Sequence, residues 1–432
     1  MNRVVRRSVG VFAEQFEVLS VLRLPAYRFF WTAIFIQVAG QMAARFTIGW
    51  LAFDLTGSPL YLGYIALFQA VPLLAFGLVG GLVADRFDQR RVLVVTQGVA
   101  AAVIIALAVL GLRDELEIWH LLVASIFLGA VQAFDNPSRL SIYPYLLPDR
   151  THLPNAVASI AVIFQMNQMF SPAIAGFLIA SVGAHYGLFL TAVAIGAMGG
   201  MVTLLRFDQP VRGRGGSPLR NLVAGAQYIW GQTGLRTLMI LNFAGGFFGM
   251  GYVLLLPAFA GEVFEVDARG LGILSSAGGV GAFFGIVLTP KLMNRYPPGL
   301  VLAGSVVSLG LSVAVFSSVP WFYVALPLMV WVGLSGFAYL TSADTIIQAT
   351  VPDELRGRVM ALLLMRWSFV PFGAFAMGAL ADRFALQPVV AGGGILAVVT
   401  GLLAAGISRE FRALRLEEAP AQSTETAVRP AR

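Results

Sequence analysis

The dominant feature of the chain is a series of long, continuous apolar runs separated by short polar segments. A helix needs about 20 apolar residues to cross roughly 30 Å of hydrocarbon, and each run has about that length. The apolar residues do not alternate with polar ones at every second position, so the runs predict helices rather than the strands of a β-barrel. We therefore predict an all-α membrane protein with twelve transmembrane spans, at residues 28–53, 60–84, 91–112, 118–142, 155–180, 186–205, 236–260, 270–292, 299–318, 321–346, 359–381 and 388–408.

The predicted spans fall into two sets of six. The longest internal connection is rich in Gly, Pro and Arg in its first half, and its second half has the pattern of an amphipathic helix. The stretches "LGAVQAFDNPSRLSIYPYLLPD" (128–149) and "VGLSGFAYLTSADTIIQATVPD" (332–353) align without gaps, which indicates an internal duplication. The predicted organisation is an N-terminal segment, a six-helix bundle, a linker, a second, pseudo-symmetric six-helix bundle and a disordered tail, at residues 1–27, 28–205, 206–235, 236–408 and 409–432.

Composition supports lipid as the main solvent of this chain. It is 58% hydrophobic and 12% charged, with a mean hydropathy of +0.81, whereas soluble domains are about 45–50% apolar and about 25% charged. The absence of cysteine excludes disulfide and thiolate chemistry, and the three histidines lack metal-ligand spacing. The sequence also has no ATP-binding loop of the Gly-x-x-x-x-Gly-Lys-Ser/Thr type and no catalytic constellation. We therefore predict neither an enzyme nor a self-contained ATP pump, and no cofactor or metal.

Basic residues are concentrated on one side of the predicted membrane. They precede span 1 and follow the even-numbered spans, whereas the segments after odd-numbered spans carry acids such as Glu115 and Glu262. The positive-inside rule therefore places both termini in the cytoplasm, in a multi-pass protein of the plasma (cytoplasmic) membrane. Because this orientation accounts for the net charge of +7, we predict no nucleic-acid partner.

Polar side chains inside the spans are costly in lipid and are functional candidates by default. Span 1 carries Gln37, Gln41 and Arg45 at a spacing of four, which places them on one helical face. A second face, in span 4, carries Gln132, Asp135, Asn136 and Arg139, and the second half adds Asn242, Tyr339 and Asp344. Their alternative role is hydrogen bonding between helices. Asp135 and Asp344 are also candidate proton carriers, although Arg366 in span 11 is a possible structural partner of Asp344.

A charged stretch, "GGLVADRFDQRR" (80–91), connects spans 2 and 3. This stretch, in a chain with twelve predicted spans in two halves, resembles a loop motif of the major facilitator superfamily. The resemblance of the chain to that family extends over about Tyr27 to Ser408. The family's loop motif is matched at Gly81, Asp85, Arg86, Arg90 and Arg91, while Asp88 replaces its usual Gly. The stretches "YRFFW" (27–31), "LAFDLTGSPLYLG" (51–63), "VPDELRGRVMA" (351–361) and "GALAD" (378–382) resemble the bacterial branch that contains the enterobactin exporter and macrolide efflux proteins.

The resemblance implies the major facilitator fold, in which spans 1, 4, 7 and 10 line a central cavity. The residues it implies for the substrate path are Gln37, Gln41, Arg45, Gln132, Asp135, Asn136, Asn242 and Tyr339. The loop motif implies a cytoplasmic gate, to which we add Arg139 as the expected partner of Asp85. Gly77 and Gly81 are expected to let two helices approach closely. In "FSPAIAG" (170–176), which resembles an exporter stretch, Ser171 replaces the family's first Gly, Pro172 permits a kink and Gly176 permits close packing.

These features predict a secondary active exporter. Its substrate is expected to be a small amphiphilic molecule, drug- or siderophore-like, moved by alternating access in exchange for protons by a monomer in the lipid bilayer. Two departures weaken the proton assignment: Gln41 stands where relatives often carry an acid, and the first half of span 4 lacks the arginine of drug/proton antiporters. The alternatives left open are a facilitator or importer of a polar solute, and a non-transporting membrane receptor or assembly factor.

Overall fold

A computed structural model gives the fold and describes residues 19–205 and 218–414, which are mostly helical and contain no strand. The first half consists of α1 (Pro25–Thr56), α2 (Pro59–Arg86), α3 (Gln89–Leu112), α4 (Ile118–Ile142), α5 (Leu153–Val182) and α6 (Ala184–Leu204). The linker supplies α7 (Pro218–Trp230). The second half consists of α8 (Thr233–Ala244), continued to Val263 by π-helical, 3₁₀ and short α-helical turns, then α9 (Ala268–Met293), α10 (Pro298–Ser317), α11 (Phe322–Thr350), α12 (Asp353–Leu364), α13 (Arg366–Phe384), α14 (Leu386–Ile407) and α15 (Arg409–Arg412).

The all-α membrane fold agrees with the predicted spans. Eleven segments of the described chain are long and apolar enough to cross a membrane, and they lie within a few residues of predicted spans 2 to 12. The remaining predicted span is α1, which has 32 residues but lower hydropathy because Gln37, Gln41 and Arg45 lie within it. The amphipathic helix predicted in the linker corresponds to α7. Most of the predicted N-terminal segment and tail lies outside the described residues.

Short polar signals in the sequence determine where several helices begin and end. Gly57 adopts a left-handed φ of 62° after α1, and Ser58 then caps α2 by accepting a hydrogen bond from the Leu60 backbone N–H at 3.3 Å. Pro59 occupies the first helical position, where its missing N–H costs nothing. At the next connection, Asp88 caps α3 through the Arg90 N–H at 2.9 Å. The Asp that replaces the family's Gly therefore has a structural use.

Glycines allow the closest helix contacts within each half. Gly80 of α2 faces the Ala133 backbone of α4, and Gly281 of α9 faces the Val330 backbone of α11, with no room for a Cβ at either position. Contacts of this kind replace the hydrophobic driving force that helices lack in lipid. At Gly77 and Gly81, by contrast, a Cβ would have no neighbour within 4 Å among the described residues.

Substituting Gly281 with Ala is expected to lower the unfolding temperature. The added Cβ would overlap the Val330 carbonyl oxygen, so α9 and α11 would have to separate at an overpacking cost of about 1–3 kcal/mol. The matched control is Gly304→Ala in α10, where a Cβ meets nothing within 4 Å and removal of a helical glycine stabilises by about 0.5–1 kcal/mol. Thermal unfolding of both variants in detergent checks this, and equal unfolding temperatures would contradict it.

The two halves contact each other toward one face of the membrane. We call the face at which α1 begins and α14 ends the terminal face, and the other the opposite face. Near the opposite face, the Ser58 hydroxyl donates to Asp382 Oδ1 at 2.8 Å, joining α2 to the end of α13. In the same pair of helices, a Cβ on Gly63 would lie 2.7 Å from the Phe375 Cα. We call this α2–α13 contact the opposite-face seal.

Helices α5 and α9 form the second contact between the halves. Gly176 faces the Ala268 backbone, and a Cβ on Gly272 would lie 2.7 Å from the Pro172 carbonyl oxygen. Nearer the middle of the membrane, Gln165 Nε2 donates to the Gly279 carbonyl at 3.0 Å.

Toward the terminal face, the two halves are arranged differently. Among the described residues, none would meet a Cβ on Gly77 or Gly81 within 4 Å, and Met365 and Trp367, which lie inside the span that begins at Asp353, are exposed. The halves are therefore closed toward the opposite face and parted toward the terminal face.

Candidate functional site

Five polar side chains of α1, α3 and α4 form one buried network, the first network: Gln37, Gln97, Asp135, Asn136 and Arg139. Asp135 is 0% exposed, and its carboxylate accepts hydrogen bonds from Gln97 Nε2 and, at 3.3 Å, from Gln37 Nε2. Arg139 donates to Gln37 Oε1 and to Asn136 Oδ1, both at 3.0 Å. The carboxylate and the guanidinium are thus joined through an amide, and the network links α1 to α4.

The first network brings together residues that sequence reasoning had placed on separate faces. It also contains Gln97, which the sequence analysis missed although a lone amide inside an apolar span is itself a signal. Arg139 is held by Gln37 and Asn136, and its guanidinium lies 5.7 Å from the centre of the Phe164 ring. The side chain of Asp85 lies outside the described residues, so its pairing with Arg139 stays a prediction.

A second network lies in the other half and consists of Asn242, Tyr339, Asp344 and Arg366. Arg366 makes a bidentate ion pair with Asp344, at 2.9 and 3.1 Å, and is itself 3% exposed. The Tyr339 hydroxyl donates to the Asn242 carbonyl, and Asn242 Nδ2 donates to the Leu363 carbonyl at 3.1 Å. Asp344 therefore has the structural partner that the sequence analysis offered as the alternative to a proton role.

The predicted stripe of α1 runs from the first network toward the opposite face. Its exposure increases along the helix: Gln37 is buried, Gln41 is half-buried and Arg45 is exposed. One turn beyond Arg45, a Cβ on Gly49 would contact Pro257 of the second half at 3.4 Å. The stripe therefore runs from a contact with α4 at Gln37 to a contact with the second half at Gly49, and Arg45 lies one turn before that second contact.

The exposure of Arg45 identifies the space between the halves as aqueous. Arg45 lies about 30 Å along α1 from Pro25, well inside the membrane. A guanidinium at that depth faces water rather than lipid, since exposure to hydrocarbon is prohibitively costly. Gln132 and Asn136 of α4 are half-buried. From these positions we infer a water-filled cavity that opens at the terminal face and ends near Arg45.

The remaining predicted residues occupy the gate and α5. Arg86 is exposed, Arg90 is half-buried, and Arg91 Nε lies 3.9 Å from Asp88 Oδ2 at the surface. Pro172 lies inside the continuous helix α5, and the Ser171 hydroxyl donates to Asn167 Oδ1 at 2.8 Å. Pro172 and Gly176 lie on the α5 side of the contact with α9.

Comparisons with known proteins agree with this architecture. The profile of a family described as transmembrane secretion effector matches residues 17–430. The chain is 26% identical over 403 residues to the multidrug efflux pump Tap of Mycolicibacterium fortuitum, covering 88% of this chain and 95% of the relative. It is 25% identical over 402 residues to the enterobactin exporter EntS of Escherichia coli, covering 91% and 90%. Among solved structures, a bacterial homologue of the human lysosomal transporter Spinster, inward-facing and unoccupied, superposes with a TM-score of 0.71 at 16% identity, covering 92% of this chain and 99% of that one.

Proposed function

The chain belongs to the transmembrane secretion effector family of the major facilitator superfamily, and we propose that it exports a small amphiphilic molecule by alternating access in exchange for protons. It is a secondary transporter of small molecules rather than an enzyme. The observation that carries the proposal is that the two halves meet near the opposite face, one turn beyond the polar stripe of α1. A cavity closed at that face accepts a solute from one side only, and it delivers the solute when the seal moves to the other side.

The charge distribution supports a cavity that opens toward the cytoplasm, and the relatives support export. The positive-inside rule assigns the terminal face to the cytoplasm, so the cavity opens toward the cytoplasm and the opposite-face seal is extracytoplasmic. This is the state in which an exporter loads its substrate. Similarity to a multidrug efflux pump and to an enterobactin exporter supports export over import.

Proton coupling is assigned to Asp135. Asp344 is neutralised by Arg366, whereas Asp135 contacts its nearest cation only through the amide of Gln37. Asp135 is wholly buried, and none of the described side chains makes a direct ion pair with it. Because Gln37 of α1 donates to Asp135, a change at this carboxylate reaches the helix that lines the cavity.

Export is tested in a strain that lacks its own major efflux pumps. Overexpression is expected to raise resistance to part of a panel of toxic amphiphilic compounds and to lower their cellular accumulation, and a protonophore is expected to reverse both effects. Uptake that ignores the protonophore would instead support the facilitator. If the folded protein, reconstituted in liposomes, moved no compound of the panel, a receptor or assembly factor would be supported.

Alternating access predicts that locking the opposite-face seal stops transport. The chain has no cysteine, so a Ser58→Cys/Asp382→Cys double variant carries only the two thiols intended for cross-linking. Their parent side chains lie 2.8 Å apart across α2 and α13. Oxidation is expected to abolish transport and reduction to restore it, while each single variant is unaffected by the oxidant. Full transport by quantitatively cross-linked protein would show that this seal does not open.

A further inference from the structure

We propose that Arg45 makes the closed end of the cavity a binding site for an anionic group, so that the substrates are organic anions such as carboxylates and phosphates. This inference names the substrate class and rests on the proposed function. It stands on the position of Arg45, on its lack of a partner and on the donors around it.

The position of Arg45 is that of a ligand-binding group. It follows Gln41 by one turn and precedes Gly49, where α1 meets Pro257 of the second half. Two turns beyond Arg45, Phe53 packs against Gly261 of the second half. The side chain is thus exposed in a cavity whose closed end begins one turn away. A solute that enters from the terminal face reaches the guanidinium at the end of its path.

The charge of Arg45 is uncompensated. The two networks are each balanced, with Asp135 and Arg139 in the first and Asp344 and Arg366 in the second. Arg45 belongs to neither, and none of the side chains that the structure describes forms a hydrogen bond or ion pair with it. A cation kept without a carboxylate inside a membrane protein attracts an anion from solution and disfavours a cationic solute.

Neutral donors on the cavity wall complete the site. Gln41 lies one turn below Arg45 on the same face, and Gln132 lies on α4 on the wall of the first half. Neither amide makes a hydrogen bond within the described part of the chain. A guanidinium presents two parallel N–H groups that match a carboxylate or phosphate, and an amide N–H adds a further donor. The site therefore has donors for the oxygens of an anion, and the nearest acid of the first network, Asp135, is already held by Gln37 and Gln97.

Binding and transport of two fluorescent probes of opposite charge test the proposal. Carboxyfluorescein is the anion and ethidium is the cation. For the purified wild-type protein, carboxyfluorescein is expected to raise the unfolding temperature and to be transported into inside-out proteoliposomes with an imposed pH gradient. Arg45→Gln is expected to remove the thermal shift and to lower carboxyfluorescein transport at least about tenfold, which corresponds to one lost charge-assisted hydrogen-bond pair. Arg45→Lys is expected to retain part of both, because it keeps the charge but not the planar fork.

The control is Arg113→Gln, which removes an exposed arginine after α3 at the opposite face and is expected to behave as wild type. Wild-type transport of ethidium alone, or equal carboxyfluorescein transport by wild type and Arg45→Gln, would overturn the anion site while leaving export intact. Carboxyfluorescein binding that depends on Arg45 without transport of either probe would keep the site and overturn the proposed function. Neither binding nor transport of either probe would overturn both.

Discussion

Replacing Asp135 with Asn is expected to abolish proton-driven transport, a loss of at least about tenfold, while leaving the protein folded. The amide has the size of the carboxylate but cannot carry a proton through a transport cycle. Its NH₂ group needs an acceptor, and Gln97 can supply one by an amide flip, since its Oε1 is buried without a partner in the described structure. The fold is therefore expected to survive, and the lost property is energy coupling.

Two assays separate this effect from simple damage. In inside-out vesicles with an imposed pH gradient, Asp135→Asn should fail to accumulate a transported probe. In counterflow between equal concentrations, which requires no net proton movement, the same variant should still exchange it. The control is Asp54→Asn, an exposed carboxylate near the end of α1, which should behave as wild type. Gradient-driven accumulation by Asp135→Asn at the wild-type rate would remove Asp135 from the coupling mechanism.

Breaking the ion pair of the second network is expected to cost the most stability. Asp344→Asn leaves Arg366, only 3% exposed, as an unpaired buried cation, a situation that costs about 3–5 kcal/mol. Arg366→Gln leaves Asp344, whose side chain is 32% exposed and can be hydrated, so a smaller loss of about 1–3 kcal/mol is expected. The two single variants should therefore differ in their unfolding temperatures even though they break the same pair.

The double variant Asp344→Asn/Arg366→Gln gives the sharpest test. Since it removes both charges, it should be more stable than Asp344→Asn alone, and the sum of the two single effects should exceed the double effect. Thermal unfolding in detergent measures all four proteins. Additive single effects would show that the two side chains do not stabilise each other. Wild-type stability of Asp344→Asn would show that Arg366 is not confined to a dry site.

Short motifs carry the resemblance to a transporter family. In the structure, two of these motifs form the ends of helices. The stretch that contains Gly57, Ser58 and Pro59 is a helix stop followed by a helix start, and Asp88 caps the next helix. Both signals act over a few residues, which is why they can be interpreted without any knowledge of the partner helices.

Twelve membrane helices follow from the sequence alone, because a run of apolar residues of the right length in lipid has few alternatives to a helix. The candidate site could be predicted from the sequence only in part. Helical spacing places Gln37, Gln41 and Arg45 on one face of α1, since a face depends on the period of a single helix.

What each face meets was decided only by the tertiary structure. The amides that hold Asp135 come from α1 and α3, and the close approach in α2 lies at Gly80 instead of Gly81. Such contacts depend on how each helix is rotated and on which membrane face is closed, and a local pattern encodes neither. The same limit explains Arg45: its residue type and depth follow from the sequence, but its place at the closed end of a cavity depends on how two separate bundles meet.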